Sequence, residues 1–383
     1  MNRGLLLILF LHLLFLGSSG QDSLQKSWEL KGYIKDLNSI VFNTDFRNIG
    51  YTNLIHNRIN FKWKPTEKIT GALEIRNRFY WGDEVRDIPH FGHQLRNDNE
   101  AENLSAVWNI SDNAIMHSNI ERLWVEYRRQ KWNVRAGRQR VNWGIANIWN
   151  PNDIFNTYNF LDFDYEERPG SDAIKWQYII NDLSNVEIAV ASAGKKNSTI
   201  AAVKYFINHK GYDLQFISGM FQNNFTAGFG WAGSLGNIGY KGEGQVYIKN
   251  RDSGNYINVT MEFDYVFKKG WYVSSAFLYN RKGLNNPVND WSEMSFKISP
   301  INLMPARWNI LLSSSKEFTP LLNGTLSIVY SPGVNMIIVF PSLKYNLFTN
   351  LDIDLVWQSF FAELEKKFQG VAHAGFVRVK WSF

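Results

Sequence analysis

The sequence predicts an all-β protein: a transmembrane antiparallel up-and-down β-barrel of about eighteen strands, with no plug domain. Three observations lead there. The chain opens on an apolar block, Leu5 to Leu16, behind the single cation Arg3. The block is too short to span a bilayer and ends in Gly17-Ser18-Ser19-Gly20, so 1–20 reads as a signal peptide and 21–383 as the barrel. At the other end Gly375, Val377, Val379, Trp381 and Phe383 share one face and Arg378, Lys380 and Ser382 the other, the period-two pattern of a strand with one side in lipid and one side wet. Between these ends no apolar run is long enough for a membrane helix, although aromatics reach 15% of the chain. A closed barrel is then the spanning structure that remains.

Composition narrows the setting. The chain has no cysteine, which removes disulfides, thiolate metal sites and cysteine nucleophiles and is ordinary for a bacterial envelope protein. The formal charge of +6 falls to +5 when Arg3 leaves with the signal, too small an excess to argue for nucleic acid. An exported chain with this closing strand belongs in the outer membrane of a Gram-negative cell. Its partners there are outer-membrane lipid and, through Phe383, the barrel-assembly machinery.

Alternating segments recur at intervals of roughly twenty residues, as expected for strands of about ten residues plus connections. They fall at 28–43, 53–64, 68–81, 119–130, 132–143, 171–181, 184–193, 199–208, 211–222, 224–233, 237–250, 256–268, 270–281, 306–315, 321–330, 334–345, 348–361 and 371–383. The connections test this reading, because such a barrel alternates long outer loops with short inner turns. Pro65-Thr66-Glu67, Gln130-Lys131, Asp182-Leu183, His209-Lys210 and Lys269-Gly270 are short, and the long segments 82–118, 144–170 and 282–305 all fall on the outer side. A miscount by a whole pair of strands would keep the parity and give sixteen.

In 257–267, Ile257, Val259, Met261, Phe263, Tyr265 and Phe267 share one side and Asn258, Thr260, Glu262 and Asp264 the other. Lipid does not accept the second set, so it faces the lumen. The same phase turns Lys31, Lys35, Arg58, Asn60, Lys62, Glu74, Arg76, Arg78, Tyr80, Arg122, Trp124, Glu126, Arg128, Arg135, Gln139 and Lys175 inward on the first strands. This is a basic wall, opposed by an acidic one of Glu262, Asp264, Asp352 and Asp354. A ladder of arginines favours anions and polar solutes; the plainer alternative is that Arg and Glu pair to satisfy buried charge.

The stretch Val134-Arg135-Ala136-Gly137-Arg138-Gln139-Arg140-Val141-Asn142-Trp143-Gly144, followed by Asn150-Pro151-Asn152-Asp153, resembles a segment of large outer-membrane barrels of the alginate-export type and their uncharacterised relatives. The likeness covers about forty residues, 132 to 172. It implies an eighteen-stranded barrel whose basic lumen passes anionic sugar polymers or small polar solutes, and it would add Arg138 and Arg140 to the basic pore lining. Alternation separates these two from Arg135, unless a bulge near Gly137 resets the phase.

The segment from Ile145 to Gly170 is dense in aromatics and acids, including Trp149, Asp153, Phe160, Asp162 and Asp164. Loops of this length are uncommon without function, and folding inward as a constriction would bury these aromatics. The alternative is an outer loop packed on its neighbours. Asp162, Asp164 and Glu166 alternate as a calcium site would but lack its Asp/Asn-Gly loop, and His90 and His93 lack a third metal ligand. No Ser motif or acid accompanies the histidines, so the sequence supports no enzyme and implies no cofactor and no metal. The channel reading competes with a barrel whose outer loops serve adhesion, envelope assembly or catalysis.

Overall fold

The computed structural model describes residues 27–42, 49–95, 100–157, 159–164, 168–194, 198–249 and 254–383; the expected signal peptide lies outside them, as do Tyr158, Tyr165, Glu166 and Glu167. The strands are β1 (Trp28–Phe42), β2 (Ile49–Trp63), β3 (Ile69–Gly82), β4 (Ser105–Ser111), β5 (Ala114–Arg129), β6 (Trp132–Gln139), β7 (Ser171–Asn181), β8 (Ser184–Ala191), β9 (Ile200–His209) and β10 (Tyr212–Phe221). They continue with β11 (Asn224–Leu235), β12 (Ile238–Ile248), β13 (Tyr256–Val266), β14 (Trp271–Asn280), β15 (Trp308–Thr319), β16 (Leu322–Ser331), β17 (Met336–Phe348), β18 (Leu351–Leu364) and β19 (Lys367–Ser382).

Every pairing is antiparallel, and β1 closes the ring against β19. The closed ring has eighteen strands, β1 to β3 and β5 to β19, which settles the count against sixteen. The extra strand, β4, pairs only with the outer half of β5, from Ser105 opposite Asn119 to Ser111 opposite Ala114. It occupies the edge of β5 that short β6 leaves free, since β6 covers only Leu123 to Arg129. Among the described residues there is no separate plug domain.

Closure reaches the last residue. Phe383 N donates to Gly32 O and Gly32 N to Phe383 O, both at 2.9 Å. A side chain at Gly32 would meet the Phe383 ring, since a Cβ there would lie 2.6 Å from Cζ. Glycine is therefore what lets the terminal ring lie flat across β1. Deleting Phe383, or Phe383→Lys, removes this closure and places a cation where lipid is expected. The fraction of chain reaching the heat-modifiable folded form should fall severalfold while synthesis continues, and an unchanged folded fraction would refute this.

The outer surface carries the exposed apolar side chains, such as Ile174 on β7, Phe216 on β10, Phe263 on β13 and Leu312 on β15. The interior is not uniformly polar. Inward residues of β14 to β18, including Leu278, Leu311, Val329, Ile338 and Ala362, join Trp149, Val288, Met294, Leu303 and Met304 from two infolded outer segments in one apolar cluster. That side of the lumen is filled by a dry core.

Candidate functional site: a basic wall and an infolded loop

Cross-strand register stacks the basic side chains in rows. Lys35, His56, Arg78 and His117 form one row across β1, β2, β3 and β5; Arg58 and Arg76 form the next. Glu74 faces Arg122, and further along Glu126 faces Arg135 and Arg135 faces Lys175. A bulge sits in β5: Glu74 pairs with Arg122 but Ile75 with Ile120, so Glu121 has no partner residue opposite. The extra residue turns Glu121 inward beside Arg122, where it accepts from Arg58 and, at 3.3 Å, from Arg76.

Partners decide how much charge the wall retains. Arg58 also bonds Glu74, and Arg122 lies 3.7 Å from Glu74 and donates to the Arg168 carbonyl at 2.5 Å. Glu126 accepts from Arg128 at 3.0 Å and Arg135 at 2.7 Å, and Arg135 lies over the Trp124 ring at 4.0 Å. Arg78 contacts His117 Nδ1 at 3.0 Å, the Leu95 carbonyl at 3.2 Å and the Tyr80 hydroxyl at 3.4 Å. It has no carboxylate within 4.0 Å among the described residues. Among the described residues the seven cations Lys35, Arg58, Arg76, Arg78, Arg122, Arg128 and Arg135 are set against four carboxylates, Glu74, Glu121, Glu126 and the loop residue Asp164, a net positive balance. On the same wall Lys31 and Lys62, with Glu74 and Trp124, line a recess of about 250 Å³.

Two arginines depart from the pore-lining expectation. The register runs unbroken through Gly137 in both pairings, so there is no bulge there; φ of +115° at this glycine absorbs the local distortion. A Cβ would lie 2.2 Å from the Leu123 carbonyl oxygen. Arg138 therefore keeps the parity opposite to Arg135. It is 2% exposed and bonded to Asp172 at 2.9 Å, Glu100 at 3.1 Å and the Ile120 carbonyl at 3.0 Å. It closes the seam where β6 ends and residues 100–102 cross, rather than facing the lumen. Arg140 lies just past β6 and donates to Asn142 Oδ1 at 2.9 Å.

The acidic wall is largely consumed by local bonds. Asp354 accepts from Arg378 Nε at 2.9 Å, and Asp352 from Asn346 at 2.9 Å beside Lys344 at 3.1 Å. Glu262 accepts the backbone N–H groups of Asn147 and Ile148 at 2.8 and 2.7 Å. Neither Glu262 nor Asp264 has a cation within 4.0 Å among the described residues, and Asp264 is touched by the Tyr272 hydroxyl at 3.4 Å.

The segment after β6 enters the barrel. A loop buried in a lumen must find partners for its backbone groups, and the inward side chains of distant strands supply them. Glu243 on β12 accepts Ala146 N at 2.6 Å and Asn152 N at 2.8 Å, together with Ile145 N, and Gln215 on β10 donates to the Trp143 carbonyl at 2.7 Å. Asp153, fully buried, pairs with Arg168 and fastens the two ends of the loop together. Trp149 sits in the apolar cluster, and Phe160 packs against Phe340 with ring centroids 5.4 Å apart and planes tilted by 59°.

The far end then reaches the basic wall. Asp164 lies 3.1 Å from Lys35 Nζ, 3.1 Å from Arg378 Nη1, 3.4 Å from His56 Nε2 and 3.9 Å from Arg76 Nη2. Asp162, exposed, accepts Asp164 N at 3.1 Å. The cations take the Asp164 carboxylate that the calcium alternative needed, and Glu166 is outside the described residues.

Glu243, Glu121, His56 and Arg378 were missed as site residues. Alternation along Lys241-Gly242-Glu243-Gly244-Gln245 was the signal available for Glu243. Replacing Glu243 with Ala leaves several loop N–H groups buried and unsatisfied, at about 1–3 kcal/mol each. Limited proteolysis at 144–157 should then appear while the barrel stays folded, and continued protection would show that the loop does not depend on this carboxylate.

A closed eighteen-strand barrel with an outer segment folded across its lumen is the porin architecture. No family model and no curated protein matches the sequence. Solved structures match its fold. Pseudomonas aeruginosa OccK9 (OpdG) superposes with a TM-score of 0.60 at 8% identity, over 94% of this chain and 99% of that one. Acinetobacter baumannii OccAB1 gives 0.59 at 8%, over 96% and 99%, and a BenF-like porin from Pseudomonas fluorescens 0.58 at 8%, over 94% and 99%. The likeness is one of fold.

Proposed function

We propose that this chain is an outer-membrane channel that passes small polar, preferentially anionic solutes along the basic wall. The observation that carries the reading is the net positive wall from Arg78 to Arg135, where Arg78 has no carboxylate within 4.0 Å among the described residues while the opposing acids are mostly engaged. Guanidinium groups offer planar forks to carboxylate, sulfate or phosphate, and successive weak sites let an anion enter and leave. The porin-type fold of the structural neighbours supports a channel, and the likeness of 132–172 to alginate-export barrels supports sugar acids among the solutes. The loop anchored by Glu243 and Glu262 favours small solutes over polymers, because it crosses the lumen on fixed bonds.

Purified mature protein in a planar bilayer should give steady single-channel currents with a reversal potential on the anion side in a dilute salt gradient. A sealed barrel would return the function to the outer loops.

A further inference from the structure

The outer face of β1, β2, β3 and β5 differs from the rest of the lipid-side surface. Lys35, His56, Arg58, Arg76 and Arg78 point inward on these strands, so the alternate residues Asp36, Asn38, Asn53, Asn57 and Asn77 point outward, and Ser118 joins them past the bulge. Ile55, Phe61 and Met116 on the same face are 41%, 37% and 36% exposed, which fixes it as the outside. Asn57 stands opposite Asn77, and Asn77 opposite Ser118. Ser118 Oγ donates to Asn77 Oδ1 at 2.6 Å and Asn77 Nδ2 to Asn57 Oδ1 at 2.9 Å. Nearby, Asn53 Nδ2 donates to Asp36 at 2.8 Å and Asn38 at 2.7 Å.

Depth makes this row costly in lipid. Trp63 marks the inner end of β2, and Asn57 lies six residues further along it. At about 3.4 Å per residue and a tilt near 40° that is roughly 15 Å up, close to the middle of an apolar band about 25 Å tall. The hydrogen bonds within the row satisfy only part of it. Asn57 Nδ2 has no partner among the described residues, and Asp36 takes one hydrogen bond. Elsewhere the outward positions carry residues such as Val190, Phe229, Met261 and Ile310, which lipid accepts.

We propose that this face is an interface with a second copy of the chain within the membrane. A neighbour must present donors and acceptors at the same height in the bilayer. A copy related by an axis along the membrane normal does so by symmetry, whereas an unrelated barrel would need an independently matched row. The surface continues from Asn38 into a groove of about 380 Å³ lined by Ile40, Leu343, Leu355, Trp357 and Gly375, which provides shape beside the polar row. The proposal stands on the spanning fold and not on conduction.

The chain has no cysteine, so single thiols can be placed cleanly. Asn57→Cys, Asn77→Cys and Ser118→Cys would be oxidised with copper phenanthroline in intact outer membranes, with Phe229→Cys on the far side as control. A band at twice the chain mass from a row position and not from the control is expected, with wild type in native nanodiscs weighing a multiple of one chain. Asn57→Leu/Asn77→Leu/Ser118→Val should reduce that mass to one chain while the barrel remains heat-modifiable and its conductance per barrel is kept. Single-chain wild type with uncrosslinked row variants, or a cross-link to a protein of different mass, overturns the proposal.

Discussion

Asp164→Asn is expected to raise single-channel conductance by about twofold and to increase anion preference. The carboxylate holds the far end of the infolded loop against four strands through Lys35, His56, Arg76 and Arg378, and it is 8% exposed. Asparagine preserves its shape but removes the charge. Breaking a buried pair by deleting one partner costs about 3–5 kcal/mol, because the other charge stays behind uncompensated. Here several cations are left behind, and water and mobile anions take the place of the carboxylate. The loop tip detaches while the segment held by Glu243 and Glu262 stays seated. Removing 159–164 altogether should give a similar conductance and admit larger solutes. Planar-bilayer recording of both variants beside wild type decides the matter; equal conductance and equal reversal potential in all three would place the tip outside the ion path.

Changing Arg76, Arg78, Arg122, Arg128 and Arg135 together to Gln should move the reversal potential toward cation selectivity by some tens of millivolts in a dilute gradient. The sign follows from what remains. Glu74, Glu121 and Glu126 lose most of their partners and keep their charge, so the wall inverts. Because Arg76 holds Glu121 and Arg128 and Arg135 hold the buried Glu126, the single change Arg78→Gln, which breaks no ion pair among the described residues, is the safer companion, with a smaller shift in the same direction. High salt should erase the difference, since the Debye length falls to about 3 Å at 1 M. A wild-type pore that already prefers cations would end the arginine reading and leave Asp264 as the acid to test.

The strands were legible because each has one side in lipid, and that constraint acts on every second residue. Each of the eighteen ring strands overlaps its expected segment. β4 was not, because Ser105–Ser111 pairs along one edge at the rim and needs no apolar face. Glu121 was hidden by the bulge, which inserts one residue that strict alternation would have sent to lipid. The site was legible in its charges and not in its pairings. That Glu262 would cap loop amides, or that Asp164 would cross to Lys35, depends on strands more than a hundred residues away. Arg138 was misplaced by resemblance, and alternation alone had put it on the correct side.

The dry core behind β14 to β18 has an electrical consequence. An apolar mass polarises weakly, so field lines leaving the arginines are pushed back into the remaining water instead of spreading through the lumen. A solute there experiences a stronger potential than the same charges would produce in an open, water-filled cylinder. Opening a polar cavity in that mass, for instance by Leu278→Ser with Leu311→Ser, would weaken anion preference without touching a single charged residue.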